Sequence, residues 1–162
     1  MTNPGIYLDY KSLANDLKVN ERTVSNYIFY LENTYLIKKV YNFSKNKLTS
    51  EKKLKRAYLN PTSFLFSNEF FEIPKIIENF FVANFYNSKF FWRDAYKHEV
   101  DIVTEDLIPI EIKFKANITK KDIKNLIIFM RKFKVEKGIL ISKIDKKIEN
   151  VDIINYLNLI IS

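Results

Sequence analysis

Cysteine is absent from this 162-residue chain, which excludes a disulfide framework and any thiolate-bound metal. Histidine occurs once, at His98, so a His-rich metal cluster is excluded as well. The only glycines are Gly5 and Gly138. Neither a phosphate-binding P-loop nor a G-x-G-x-x-G nucleotide fingerprint can be built from them. No apolar run approaches the roughly 20 residues that cross a bilayer, and Met1-Thr2-Asn3-Pro4-Gly5 carries no secretion-signal pattern. The expectation is a cytoplasmic protein with no membrane partner.

What is present is positive charge and apolar bulk. Lys and Arg number 27 against 19 Asp and Glu, a net +8, and 47% of residues are hydrophobic, enough for a buried core. The charge is unevenly distributed. Residues 1–57 carry a net +6, residues 58–112 a net −5 and residues 113–162 a net +7. Five carboxylates and no Lys or Arg lie between Glu99 and Glu111. Such a cluster in a basic chain marks either a solvated face or a cation site.

The first third reads as helix, turn, helix. Tyr10, Leu13, Ala14 and Leu17 form an i, i+3, i+4, i+7 stripe, Asn20 is a suitable N-cap, and Val24, Tyr27, Ile28 and Leu31 form a second stripe. The pair matches a helix-turn-helix whose second helix offers Arg22, Thr23 and Asn26 to phosphates and base edges. Two β-rich runs, Leu36–Phe43 and Lys55–Leu59, then suggest a hairpin, the wing of a winged helix. The loop Lys45–Arg56 carries Lys45, Lys47, Lys52, Lys53, Lys55 and Arg56 against Glu51 alone, net +5. Neutralising about five phosphates predicts a log–log salt slope of about −4 to −5 on duplex DNA. A solubilising loop has the same composition.

Asn60-Pro61-Thr62-Ser63 is a turn signal that places a seam between a domain at 1–60 and one at 61–162. After it come an apolar Phe64–Phe66 piece and a helix opened by Pro74, with Ile76, Ile77, Phe80, Phe81 and Phe85 on its stripe and Glu78 among them. Strand-like runs follow at Phe90–Arg93, His98–Thr104 and Leu107–Phe114. A helix is expected over Lys120–Phe133, then strands at Gly138–Ser142 and Leu157–Ile161 with a short helical or irregular link. The expected class is α/β (α+β), an α-β-β-β-α-β domain with a mixed sheet.

Chemistry is concentrated in His98-Glu99-Val100-Asp101-Ile102-Val103 and Ile110-Glu111-Ile112-Lys113. Alternation on a strand puts Glu111 and Lys113 on one face. Whether Asp101 joins them depends on the connecting turn. A two-residue turn at Glu105-Asp106 would pair Asp101 with Ile110 and separate the acids. A three-residue loop, Glu105–Leu107, or one bulge would set Asp101 opposite Glu111. If the acids converge, hard oxygen ligands suit Mg²⁺ or Mn²⁺, and Lys113 could orient water or stabilise charge on phosphate oxygens. This Asp, then Glu-x-Lys, order resembles the PD-(D/E)xK nuclease signature.

A wider resemblance rests on Ser12-Leu13-Ala14, Thr23-Val24-Ser25-Asn26-Tyr27, Tyr30-Leu31-Glu32, Leu36-Ile37, Lys55-Arg56-Ala57-Tyr58-Leu59, Ile77-Glu78-Asn79, Glu99-Val100-Asp101-Ile102 and Pro109-Ile110-Glu111-Ile112-Lys113. These resemble the C-terminal region of archaeal and bacterial AAA+ ATPases that end in a domain of unknown function. The resemblance implies a winged helix followed by a restriction-endonuclease-like domain, with Asp101, Glu111 and Lys113 at the nuclease-motif positions and Glu78 as the helix acid. It also implies an ATPase module as partner, which this chain lacks, and DNA as a second partner. Asn60-Pro61-Thr62-Ser63 departs from the Asp and Gly usual in that family. Two functions are therefore expected: a Mg²⁺-dependent phosphodiesterase associated with DNA, or a catalytically silent docking module of an AAA+ ATPase. Trp92 with Phe90 and Phe91 reads as packing rather than base stacking, and His98 as a strand-edge residue.

Overall fold

Two side-chain caps start the chain's first helices. Asp9 Oδ1 accepts from the Ser12 amide at 3.1 Å and Asn20 Oδ1 from the Thr23 amide at 2.8 Å, each satisfying a donor that the helix leaves unpaired. They open α1 (Tyr10–Leu17) and α2 (Glu21–Asn33), with Lys18 in the left-handed region at φ 54° ending α1. The structure, a computed structural model, describes residues 5–52, 54–60, 62, 72–84 and 89–161. The chain divides into two units, Met1–Asn84 and Phe85–Ser162.

The first unit adds β1 (Ile6–Tyr7), β2 (Ile37–Asn42), α3 (Lys47–Lys52), β3 (Lys55–Leu59) and α4 (Ile73–Asn84). Its strands are antiparallel, with β3 between β1 and β2; Ala57 faces Ile6 and Lys39. Leu8, Ala14, Val24, Ile28, Ile37 and Ala57 form the core, flanked by Tyr10, Leu13 and Leu31. Two members of the expected stripes lie outside it: Leu17, the last residue of α1, is 57% exposed, and Tyr27, on the flank of the Val24–Ile28 line, is 53% exposed. The β2–β3 hairpin forms as expected, but its connection contains α3 rather than an irregular loop. The Ser50 hydroxyl there donates to Ser44 O at 3.2 Å. The side chains of Lys47 and Lys52, residue Lys53, the Phe64–Phe66 piece and Phe85 lie outside the described residues.

Helix α4 is tied to this sheet by polar side chains. Asn79 is fully buried, accepts from the Leu59 amide at 2.9 Å and donates to the Leu59 carbonyl at 2.8 Å, so it continues the β3 edge as a strand would. Lys38 Nζ donates to the Val82 and Ala83 carbonyls at the helix C-terminus, at 2.9 and 3.2 Å, where a cation complements the dipole. Burial lowers its pKa. Arg56, grouped by sequence with the loop cations, is instead a buried strand residue. Its Nε donates to Gly5 O and its Nη2 to Glu78 Oε1, both at 2.8 Å, and its guanidinium lies over the Tyr7 and Tyr58 rings. Gly5 is required there: at φ +72° a Cβ would collide with that guanidinium.

The second unit contains β4 (Phe90–Arg93), β5 (Glu99–Val103), β6 (Pro109–Ile112), α5 (Lys124–Phe133), β7 (Gly138–Ser142), β8 (Lys146–Ile148), β9 (Val151–Asn155) and α6 (Tyr156–Ile161). The strands run in the order β4-β5-β6-β7-β9-β8. Pairing is parallel at β6–β7 and β7–β9 and antiparallel elsewhere, with α5 as the crossover that parallel strands require. The Trp92 ring packs edge-on against Phe129 and Phe133, at 5.3 and 6.0 Å, so the aromatic run serves packing. All four residues of β6 are buried, as in a central strand covered on both faces. Two expectations are corrected. Residues 120–123 are turns, and α5 begins at Lys124. Leu157–Ile161 is helical, and the terminal strand is Val151–Asn155, entered from β8 by a tight turn with Glu149 at φ 54°. A five-residue run with four apolar side chains carries no readable period; Asn155 Oδ1 accepts from the Leu157 amide at 3.1 Å and turns the chain into the helix.

The Arg56–Glu78 pair yields a prediction, because both side chains are nearly buried, at 7% and 11% exposure. Arg56→Met leaves Glu78 without its main partner and should destabilise the protein by about 3–5 kcal/mol in urea unfolding. Arg56→Met combined with Glu78→Leu should cost less than Arg56→Met alone; an additive loss would contradict an ion pair.

Candidate functional site

Asp101 and Glu111 meet because of one turn. The β5–β6 register pairs Ile102 with Ile110 and Val103 with Pro109; one further antiparallel step sets Asp101 opposite Glu111. The connection is the three-residue loop Glu105–Leu107. The Leu107 amide donates to Thr104 O at 3.0 Å, the Thr104 amide to Ile108 O at 3.1 Å, and the Thr104 hydroxyl accepts from the Ile108 amide at 3.0 Å. Leu107 is left-handed at φ 61°, the conformation a three-residue hairpin loop needs at its last position. A two-residue turn would have sent the acids to opposite faces.

The backbone ladder between β5 and β6 ends at Ile102–Ile110. Beyond it the Ile112 amide donates to Asp101 Oδ2 at 2.9 Å, so the carboxylate takes the place of a ladder acceptor. On the other side of β6, pairing with β7 continues through Ile112–Ile141, and the Lys113 amide donates to Ile141 O at 2.9 Å. Glu111 therefore projects from a strand that is firmly held on one edge and separated from its neighbour on the other. It is 3% exposed. Its Oε1 accepts from Lys113 Nζ at 2.7 Å, while its buried Oε2 has no hydrogen-bond partner. Lys113, 40% exposed in its side chain, forms the solvent side of the group.

Burial, then the facing Asp101 charge and a smaller contribution from Glu99, push the Glu111 carboxyl up to about 8, against the opposing pull of Lys113. The carboxyl is thereby biased toward its protonated form. An unpartnered buried oxygen facing a second carboxylate is the environment that a divalent cation relieves. The donor set fits Mg²⁺ or Mn²⁺, with Asp101 and Glu111 as the residues that would hold it. Among the described residues, three or more acidic or histidine side chains do not converge on one point.

Glu78 is placed in the first unit, with its oxygens already engaged. Oε1 accepts from Arg56 Nη2 at 2.8 Å and Tyr58 OH at 3.2 Å, and Oε2 from Lys75 Nζ at 2.8 Å. It acts as the tie between β3 and α4. Of the expected DNA contacts, Arg22 and Asn26 are exposed on α2, whereas Thr23 is half-buried with its hydroxyl on the Asn20 cap. Lys45 is exposed and Lys55 half-buried at the hairpin, Lys55 Nζ lying over the Tyr41 ring. His98 Nδ1 lies 2.9 Å from Asp94 Oδ2, and the same carboxylate accepts from the Tyr96 and His98 amides. That group closes the β4–β5 turn. Two residues passed over in sequence share the acidic face. Glu99, two positions before Asp101, points the same way, and Arg93 pairs with it in register, its Nη1 lying 3.4 Å from Glu99 Oε2. The i, i+2 spacing of Glu99 and Asp101 was the signal that could have found the first; Arg93 required the strand pairing.

This is a mixed α/β protein with its acidic pair at a strand separation. Residues 75–160 match the model of a domain of unknown function, DUF4143, and residues 2–67 that of another, DUF8612. The first match spans 86 of the 162 residues, and the chain belongs to the DUF4143 family, a domain found in AAA-ATPase-associated proteins. No curated protein and no solved structure matches the chain.

The raised Glu111 pKa gives a signed expectation. The folded state holds this proton more tightly than the unfolded state, so stability falls as pH rises from about 4.5 through about 8. Glu111→Gln should flatten that slope and raise the unfolding midpoint above pH 8, with a gain of about 2–5 kcal/mol. Thermal unfolding of both proteins from pH 5 to 9 measures it, and parallel slopes would refute a buried titrating Glu111.

Proposed function

We propose that the chain is a DNA-associated module whose second unit carries a divalent-cation-dependent phosphodiesterase site of the PD-(D/E)xK type. The observation supporting it is the buried, unpartnered Glu111 Oε2 opposite Asp101, with Lys113 on the companion oxygen. In this reading Asp101 and Glu111 hold Mg²⁺ or Mn²⁺, which when bound polarises a scissile phosphate. Lys113 extends from the same strand face toward solvent. Its ammonium orients an attacking water and then stabilises charge growing on the phosphate oxygens. The Ile112 amide fixes Asp101, so the pair is oriented before substrate arrives. Glu78 has no part in the chemistry.

The first unit is read as a winged helix that docks DNA. Strand, two helices and a hairpin follow in order, with β1 paired to the returning β3. Helix α2 exposes Arg22 and Asn26, and Lys45 and Lys55 sit at the hairpin. A second reading, a silent docking module of an AAA+ ATPase, has its own support in the occurrence of DUF4143 in AAA-ATPase-associated proteins.

Incubating the protein with plasmid and single-stranded DNA in Mg²⁺ or Mn²⁺ separates the two. Cleavage should disappear in Asp101→Asn and Glu111→Gln and fall about 10²–10³-fold in Lys113→Met. Calorimetric titration with Mn²⁺ should show binding that Glu111→Gln removes. Cleavage equal in all variants, or no Mn²⁺ binding by the unaltered protein, would leave only the docking module.

A further inference from the structure

The parallel pairing of β6 with β7 runs past Ile112–Ile141. The Lys113 amide donates to Ile141 O at 2.9 Å and the Lys143 amide to Lys115 O at 3.2 Å. Three lysines, Lys113, Lys115 and Lys143, therefore gather at the carboxyl ends of these two strands. In open α/β sheets ligands collect beyond such ends. Register sets Glu111 beside Leu140, and Lys143 follows three residues later, about 10 Å nearer the rim at the rise of a strand.

The three ammonium groups are held in different ways. Lys113 Nζ is 2.7 Å from Glu111 Oε1. Lys115 Nζ pairs with Asp122, whose carboxylate also accepts from the Thr119 amide and hydroxyl, both at 2.8 Å. Lys143 Nζ instead lies over the Phe114 ring, 4.0 Å from its centre, and that ring packs against Tyr156 at 5.3 Å. Among the described residues no carboxylate pairs with Lys143. Asp145, two positions on, is engaged by the Asn155 amide at 2.9 Å and Asn158 Nδ2 at 3.1 Å. Lys143 is exposed, while Phe114 and Tyr156 are half-buried.

A ring and a carboxylate act differently on a cation. The carboxylate neutralises it, and an arriving phosphate must displace the acid. A ring face attracts the ammonium through its quadrupole but has no net charge, so the ammonium keeps its charge and gains a fixed place. Phosphate then forms a charge-assisted bond without breaking an ion pair, and less side-chain freedom is lost on binding.

We propose that Lys143, held over the Phe114 ring, binds a second backbone phosphate of the nucleic-acid strand that lies at the acidic pair. The inference rests on the phosphodiesterase reading and adds a cation along the strand's path. Lys143 supplies the charge and Phe114 its position.

The two contributions separate in salt titrations of the full chain, read by fluorescence anisotropy with a labelled 20-base-pair duplex in Ca²⁺. Lys143→Met should weaken binding about fivefold and lower the log–log salt slope by about one. Phe114→Leu keeps the charge and removes its support, so it should weaken binding about twofold and leave the slope unchanged. Lys143→Arg should preserve both, since guanidinium also stacks on rings and binds phosphate. An unchanged slope in Lys143→Met, or an equal fall in Phe114→Leu, would overturn the proposal while leaving the DNA-associated reading in place. Absence of binding by the unaltered protein at low salt would overturn that reading and this inference together. Binding that follows the expected slopes without cleavage would uphold Lys143 and reject only the catalysis.

Discussion

Two carboxylates held face to face at a buried strand separation set the terms for the second unit. Glu111 cannot carry a charge there without compensation, because burial removes the water that would screen it from the half-buried Asp101 it faces. The protein supplies part of it. The Ile112 amide stabilises Asp101, Lys113 stabilises one oxygen of Glu111, and burial biases the Glu111 carboxyl toward holding its proton. A stable fold could have avoided this arrangement with a Leu or Ile at position 111, as at Ile110 and Ile112 on the same strand. The retention of an unsatisfied oxygen is what makes the site a functional candidate.

The first unit treats buried charge in the opposite way. Arg56 and Glu78 are equally buried, yet they are saturated: Gly5 O, Tyr58 OH and Lys75 complete their bonds, and two tyrosine rings enclose the guanidinium. Lys38 at the α4 carbonyls and Asn79 on the β3 edge follow the same pattern. These groups tie α4 to the sheet and leave no acceptor open. Setting the two clusters side by side separates structural charge from chemical charge by how completely each is satisfied.

Much of the local structure was readable from residues alone. The caps at Asn20 and the stripes through Ala14, Val24 and Ile28 followed from helical periodicity, and β4 was identified at its observed bounds. Failures fell where the local signal was ambiguous. Leu157–Ile161 satisfied strand and helix equally, and Arg56 looked like one more loop cation because its neighbours are lysines. For the site, the acids and Lys113 were legible as types and spacing. Their meeting was not, since it depends on one residue in the Thr104–Ile108 turn.

Composition and periodicity therefore determined which elements form and which side chains carry the chemistry, because both follow from interactions within a few residues. Tertiary structure alone decided which charges are used and which are left available. Glu78 was engaged by Arg56, 22 residues away. Glu111 was left with an open oxygen by a separation of strands, and Arg93 was brought to its face by pairing. Each of those outcomes depends on contacts between segments distant in the chain, and no local pattern specifies them.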